Sequence, residues 1–422
     1  MDFSNFSSYE FLIGTSVVII LSFFFGEFSR KTNIPSVLLL IILGVVIQQF
    51  LSIDKEAIKP VLEILGIVGL IMIVLEAALE LELKREKYIP IAIALLIALI
   101  GLILSAWVAA IILNTFIDGM TMEKAWLYAT PLSILSSAII IPSVVGLSPQ
   151  KKEFHVYEST FSDILGIMMF YYLSGQLGEG DHGGGMIGFG GNVLLTIVVS
   201  FIASYILILI FQNIRSHTKL FLLIAVLLLL YSIGKQMHLS SLIIILVFGL
   251  IIANMKLFFQ GPLGKWLHME KAKQIYEGLH VITMETAFVV RTFFFVFFGL
   301  SITLASLFSV NVALVSLLVI ASIYVLRFVI LRLFLGGDII PQLYIAPRGL
   351  ITILLFYSIP TEAEVAGFNP GILLFIIIGT SIIMTIAMVS DKQKSGKAIE
   401  KAEANPIGYE KWKAPTIVTD KK

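Results

Sequence analysis

The sequence contains thirteen long runs of apolar residues, and no soluble fold could shield so much apolar side chain from water. Hydrophobic residues make up 58% and charged residues 14% of the chain, whereas soluble domains carry about 25% charged residues. A membrane-spanning helix needs about 20 apolar residues. The runs therefore predict an all-α polytopic membrane protein with thirteen transmembrane helices. These predicted spans cover residues 9–28, 34–51, 58–81, 88–114, 122–146, 154–175, 191–213, 217–234, 238–257, 277–303, 309–334, 341–360 and 369–389.

Lys and Arg residues fall mostly on one side of these spans. Of the 29 basic residues, 22 lie on the side of the C-terminal tail, 4 on the opposite side and 3 inside spans. Because basic loops stay in the cytoplasm, this predicts an N-terminus outside and a C-terminus inside the cell. We expect the membrane to be the cytoplasmic (inner) membrane of a prokaryote. We expect residues 1–390 to form the transmembrane domain and residues 391–422 a short, disordered cytoplasmic tail.

Composition excludes several kinds of chemistry. The net charge of +1 indicates no nucleic-acid partner, and the chain has no cysteine for thiol chemistry or iron–sulfur ligation. No nucleotide-binding motif is present, so we predict no cofactor and do not expect an enzyme.

Ionisable residues inside the spans are the candidate functional residues, because each costs about 2.5–3.5 kcal/mol to insert. Asp163 lies ~14 Å along span 6, near the midplane of the bilayer. Two charge sets are plausible: Glu158 with Arg327 or Arg348, and Asp163 with Arg291. Glu285 lies near Arg291 in the same span and is an alternative partner for it.

Asp163 has further oxygen ligands on its own helix. Ser159 lies four residues earlier, which is the same helix face, and Ser162 is its neighbour. A carboxylate with hydroxyls and free backbone carbonyls suits Na⁺ or Li⁺ and also binds a proton. Competition between the two ions for Asp163 would couple their movement in opposite directions.

Prolines indicate where free carbonyls could arise. Span 5 contains Pro131 and Pro142, and span 12 contains Pro347 followed by Arg348-Gly349. Proline removes a helix hydrogen bond, and an unwound segment inside a membrane must line a cavity or be buried in protein. Spans 5 and 12 are seven apart, as expected if spans 1–6 and 8–13 form two inverted six-helix repeats. Paired interruptions of this kind indicate a transporter's ion site.

The sequence motifs around these residues resemble those of one protein family. The segment 158–163, Glu-Ser-Thr-Phe-Ser-Asp, resembles the Glu-Ser-x-x-Asn-Asp signature of the monovalent cation/proton antiporters, which are sodium/proton exchanger-like proteins. Other stretches resemble the same family in the same order over nearly the whole chain: Asn33-Ile34-Pro35, Leu79-Glu80-Leu81, the segment 294–300 (FFVFFGL), Leu326-Arg327, Arg348-Gly349 and Ser358-Ile359-Pro360.

The resemblance implies a fold and roles for individual residues. It implies a homodimer in which a core domain carries the ion past a scaffold domain in an elevator-type, alternating-access mechanism. Asp163 would bind the ion or the proton, and Ser159 would help to coordinate the metal ion. Glu158 would pair with an arginine, either Arg327 or Arg348.

The sequence also departs from the family pattern. Ser162 stands where electroneutral members carry Asn and electrogenic members a second Asp, so one central carboxylate predicts electroneutral exchange. The family's Thr-Asp-Pro in span 5 is absent, and Ser133 takes the place of its threonine. Arg291 lies in span 10, the span in which electrogenic members of the family carry a lysine opposite their aspartates. Because arginine does not release its proton, we expect Arg291 to be a fixed countercharge for Asp163 or Glu285.

The sequence thus predicts a secondary antiporter that exchanges Na⁺, or Li⁺, for H⁺. A K⁺/H⁺ antiporter shares the same arguments. A Na⁺-coupled organic-acid symporter and a non-transporting membrane scaffold are the remaining alternatives.

Overall fold

The computed structural model describes residues 8–32, 36–50, 55–81, 83, 87–177, 185–214, 219–236, 241–259, 267–301 and 309–404. Each of the thirteen apolar segments corresponds there to one helix or one broken helix, and this part of the chain holds no strand, which confirms the all-α polytopic prediction. The helices are α1 (Ser8–Thr32), α2 (Ser36–Phe50), α3 (Lys55–Glu80), α4 (Tyr88–Phe116), α5 (Met122–Ser133), α6 (Ser137–Ser143), α7 (Pro149–Leu177), α8 (Gly185–Phe211), α9 (Lys219–Gln236), α10 (Ser241–Ala253), α11 (Met255–Phe258), α12 (Met269–Ser301), α13 (Val310–Leu335), α14 (Leu350–Tyr357) and α15 (Gly371–Ala404).

The helices differ in how apolar they are. Among the described residues, eight helical stretches are long and apolar enough to cross a membrane by length and composition alone. The 29-residue helix α7 is also long enough, but Glu158 and Asp163 and the polar residues of its first turns lower its hydropathy. Two other apolar helices, α2 and α10, are shorter. Helix α7 must therefore be shielded from lipid by its neighbours, because ionisable side chains are costly there.

Several helix ends differ from the predicted spans, and in α7, α12 and α15 polar turns continue the helix beyond its apolar part. Helix α7 starts at Pro149, a residue well suited to the first helical position, rather than at 154. Helix α12 starts at Met269 rather than 277, and α15 continues to Ala404, past the predicted end of the membrane domain. The tail residues 405–422 and the Asn33-Ile34-Pro35 motif lie outside the described residues.

The helices pack into two units. The core unit consists of α4–α7 and α13–α15, and the scaffold unit consists of α1–α3 and α8–α12; within each unit the helices pack mainly on one another. The two units meet chiefly where α3 of the scaffold packs against α7 and α14 of the core. This boundary positions the site described below.

Two glycines hold the scaffold unit together at one close crossing. Gly44 of α2 and Gly299 of α12 face each other, and a Cβ atom built on either would lie 2.9 Å from the Cα of the other. Backbones can approach this closely only where neither helix carries a side chain, which is a common device in membrane helix packing. The two helices are thus in direct backbone contact.

Candidate functional site

Two broken helices meet inside the core unit. Helix α5 ends at Ser133, residues 134–136 are not helical, and α6 then begins at Ser137. In the second repeat, residues 345–349 are not helical and α14 begins at Leu350. The predicted interruptions of spans 5 and 12 are therefore both present.

The broken stretches satisfy each other's backbone groups. The amide of Ser136 donates to the carbonyl of Pro347 at 3.0 Å. The amide of Leu135 donates to the hydroxyl of Ser162, on α7, at 3.0 Å. Because unpaired backbone groups are costly away from water, these two bonds stabilise the breaks. Ser162 thus binds the unwound backbone of the first broken helix.

Gly349 allows the two broken stretches to approach. A Cβ atom at this position would clash with the Ser136 hydroxyl and would lie 2.9 Å from Cδ1 of Ile139. We therefore expect Gly349→Ala to lower the free energy of unfolding by about 1–3 kcal/mol, the usual cost of overpacking. Thermal unfolding of the purified protein in detergent measures this. Gly146→Ala is the control, because nothing lies within 4 Å of a Cβ built there; equal melting temperatures for the two variants would contradict the expectation.

Arg348 binds backbone carbonyls rather than a carboxylate. Its side chain is 1% exposed; Nε donates to the Leu132 carbonyl at 2.7 Å and Nη1 to the Ala346 carbonyl at 2.9 Å. Leu132 lies in the last turn of α5, where carbonyls lack partners within the helix and the helix dipole favours a cation. Arg348 therefore stabilises the broken end of α5.

Glu158 pairs with Arg327, which decides between the two predicted partners. The guanidinium of Arg327 donates to both carboxylate oxygens, at 2.7 and 2.9 Å, and its Nε donates to the Gln342 carbonyl at 3.1 Å. Nδ1 of His155 lies 3.3 Å from the same carboxylate. This buried bidentate pair joins α7 to α13.

A first cavity surrounds this pair. It has a volume of about 30 Å³ and is lined by apolar residues of the core unit together with polar ones, among them Ser133, Glu158, Ser162, Arg327 and Arg348. That is room for roughly two waters. The cavity lies entirely within the core unit.

Asp163 lies in a second cavity, at the boundary between the two units. The residue is 3% exposed, and among the described residues neither carboxylate oxygen has a hydrogen-bond partner of ordinary geometry. The hydroxyl and amide of Ser137, at the start of α6, interact with the carboxylate. The cavity measures about 20 Å³ and is lined from the scaffold side by apolar residues of α3 and α10. A buried carboxylate without partners is costly, so this group is a candidate ion site.

The predicted hydroxyl ligands are not all directed at Asp163. Ser159 donates to the His155 carbonyl at 2.7 Å, and Ser133 donates to the Ala129 carbonyl at 2.9 Å. Ser133 lines the cavity of the Glu158 pair, not that of Asp163. The Ser162 hydroxyl accepts the hydrogen bond from the Leu135 amide. The structure thus brings Ser133 and Ser162 together around the broken helix, while Asp163 lies in the other cavity.

Arg291 is placed differently from the sequence prediction. Its Nη2 lies 3.3 Å from Oε1 of Glu76, on α3, and its Nε donates to the carbonyl of Ala287. Glu285 is exposed, because six residues along a helix of 3.6 residues per turn place it on a different face. Pairing of Arg291 with Asp163 or Glu285 was therefore wrong. A carboxylate within the apolar span 3 is the sequence signal that a basic partner lies close, because ionisable groups are costly there.

Two broken helices that cross beside a buried acid define a class, the secondary ion transporters. The chain belongs to the sodium/hydrogen exchanger family: the family profile described as "Sodium/hydrogen exchanger, transmembrane" matches residues 17–390. This confirms the resemblance found in the sequence, and it identifies the chain as a multi-pass membrane protein of the monovalent cation/proton antiporters.

Solved structures share the fold. The structure of the sodium proton antiporter MjNhaP1 from Methanocaldococcus jannaschii at pH 8 is similar, with a TM-score of 0.68 and 20% identity, covering 91% of this chain and 98% of that chain. A structure of MjNhaP1 from an electron-microscopy map gives a TM-score of 0.65 at 20% identity, covering 97% of this chain and all of that one. A search among curated proteins gave no significant match.

Proposed function

We propose that this protein exchanges Na⁺, or Li⁺, for H⁺ through Asp163. The observation that carries the proposal is the position of that carboxylate: buried, without a hydrogen-bond partner of ordinary geometry among the described residues, and at the boundary between core and scaffold. A carboxylate so placed gains from binding either a proton or a cation. Since one group cannot hold both ions, loading one releases the other.

The exchange is electroneutral in this proposal. Asp163 is the one ionisable side chain among the residues that line its cavity; the others are Thr160 and apolar residues. One carboxylate carries one positive charge in each direction, either as the cation or as the proton. Ser159 and Ser162 support the site from α7, and Ser133 supports the broken end of α5.

Movement of the core unit against the scaffold would give alternating access. The residues that face Asp163 from the scaffold, such as Ile73, Val74 and Leu242, are apolar, so they offer a surface without polar bonds that sliding would break. The bonds between the broken helices and the Glu158–Arg327 pair lie within the core unit and would travel with it. We further propose that the scaffold forms a homodimer in the inner membrane, with the N-terminus outside and the C-terminus cytoplasmic.

Proteoliposomes test this function directly. The purified chain should dissipate an imposed pH gradient when Na⁺ or Li⁺ is added, monitored by recovery of a quenched pH-sensitive dye. The response should persist without a membrane potential when K⁺ and valinomycin clamp it to zero. Recovery with K⁺ alone, measured without valinomycin, would instead identify a K⁺/H⁺ antiporter. Absence of recovery with any monovalent cation would contradict the proposal and favour a symporter or a membrane scaffold.

A further inference from the structure

The side chain of Thr160 is an unexplained feature of the Asp163 cavity. Thr160 is fully buried on α7, and among the described residues its hydroxyl has no hydrogen-bond partner. It lines the same cavity as Asp163, one helical turn earlier. A buried hydroxyl without a partner costs free energy, so its position calls for a ligand.

Neighbouring Ser and Thr hydroxyls make a hydrogen bond to the helix backbone that Thr160 lacks. In membrane helices, Ser and Thr commonly donate to the carbonyl four residues earlier. Thr130, Ser133 and Ser159 all make this bond, at 2.8, 2.9 and 2.7 Å respectively. Thr160 does not, although its helix is continuous on both sides. Its hydroxyl therefore stays available to the cavity.

The rest of the cavity leaves few alternatives. Apart from Asp163 and Thr160, its lining consists of Ile, Val, Ala, Leu and Met side chains from α3, α7, α10 and α14. None of these carries an oxygen. Among the described residues that line the cavity, Thr160 therefore supplies the one neutral side-chain oxygen. The hydroxyl of Ser137, which interacts with Asp163 from the start of α6, does not line the cavity.

We infer that Thr160 is a cation ligand of the Asp163 site and sets its affinity for the metal ion; this inference rests on the function proposed above. With the cation bound, the Thr160 oxygen coordinates it together with the carboxylate, as suits a hard ion such as Na⁺ or Li⁺. With the proton bound, the protonated carboxyl has its own hydrogen and the hydroxyl becomes at most a neutral hydrogen-bond partner. Because contacts to a full charge are stronger than neutral ones, loss of the hydroxyl weakens cation binding more than proton binding.

Thr160→Val tests the inference, because it removes the oxygen and keeps the shape. In the proteoliposome assay at fixed pH, the apparent KM for Na⁺ should rise roughly tenfold with a smaller change in maximal rate, the size expected for one oxygen that contacts a charge. Thr160→Ser, which restores the oxygen, should return the KM to within about threefold of the original protein. The matched control is Thr283→Val, since Thr283 is equally buried and unpartnered among the described residues but does not line this cavity.

The outcomes are separable. An unchanged KM in Thr160→Val, or an equal rise in Thr160→Val and Thr160→Ser, overturns the inference. If Thr160→Val does not fold, Thr160→Cys takes its place, because a thiol keeps the volume but is a poor ligand for hard cations. Exchange by the original protein with an unaffected Thr160→Val rejects only this inference, whereas no exchange by the original protein rejects the proposed function itself.

Discussion

Asp163→Asn is expected to abolish cation-dependent proton movement while the protein remains folded. The amide has nearly the same shape as the carboxylate, but it binds neither a proton nor a cation under these conditions. Exchange should fall by at least about 100-fold, because an ionisable group at this depth cannot be replaced by solvent. Proteoliposome dye recovery with Na⁺ and Li⁺ measures the loss.

Although Asp163→Asn should lose exchange, we expect it not to lose thermal stability. The carboxylate oxygens have no hydrogen-bond partner of ordinary geometry among the described residues, so removing the charge relieves a desolvation cost. The melting temperature in detergent should therefore be unchanged or higher. Asp118→Asn, at an exposed loop position, is the matched control and should retain full exchange. Measurable exchange by Asp163→Asn would remove Asp163 from the transport site.

Breaking the Glu158–Arg327 pair is expected to have the largest effect on folding. Removal of one partner from a buried ion pair costs about 3–5 kcal/mol, because the other charge stays buried without compensation. Glu158→Gln and Arg327→Gln should both lower the melting temperature and the yield of monodisperse protein. Fluorescence-detected size-exclusion chromatography with a temperature series measures both quantities.

The two substitutions are expected to differ in severity. Arg348 lines the same cavity as the pair, so Arg327→Gln leaves Glu158 with a remaining cation nearby. Glu158→Gln instead leaves two guanidinium groups without a carboxylate and should be the more damaging change. Glu277→Gln is the control, since its pair with Lys273 is exposed at 59% and 71% and such pairs contribute about 0–1 kcal/mol. Equal destabilisation by Glu158→Gln and Glu277→Gln would contradict a structural role for the pair.

The helices and breaks could be predicted because lipid imposes simple rules on sequence. Every apolar run of span length became a helix or a broken helix, and Pro131 and Pro347 indicated the two interruptions. Helix ends were predicted less well. The first turns of α7 and α12 are polar, and hydropathy alone does not report a helix that continues into the interface.

Partners across helices could not be read from the sequence, because they depend on helix rotation. Arg291 is directed at Glu76 of α3 and not at Asp163, although the sequence places both Arg291 and Asp163 inside predicted spans. Similarly, Ser133 and Asp163 lie in separate cavities. The sequence does not single out Thr160, because it occupies a variable position of the signature; only its unpaired hydroxyl in the structure distinguishes it.

The glycine crossing of α2 and α12 has a consequence for how the molecule can deform. No rotamer can change at Gly44 or Gly299, and displacement of one helix along the other would drive a neighbouring side chain into a peptide group. Sliding of α2 along α12 is therefore sterically blocked, and this part of the scaffold unit is rigid. If the core unit moves against the scaffold as proposed, the displacement is expected at other helix contacts, such as the apolar surface of α3 and α10 that faces Asp163.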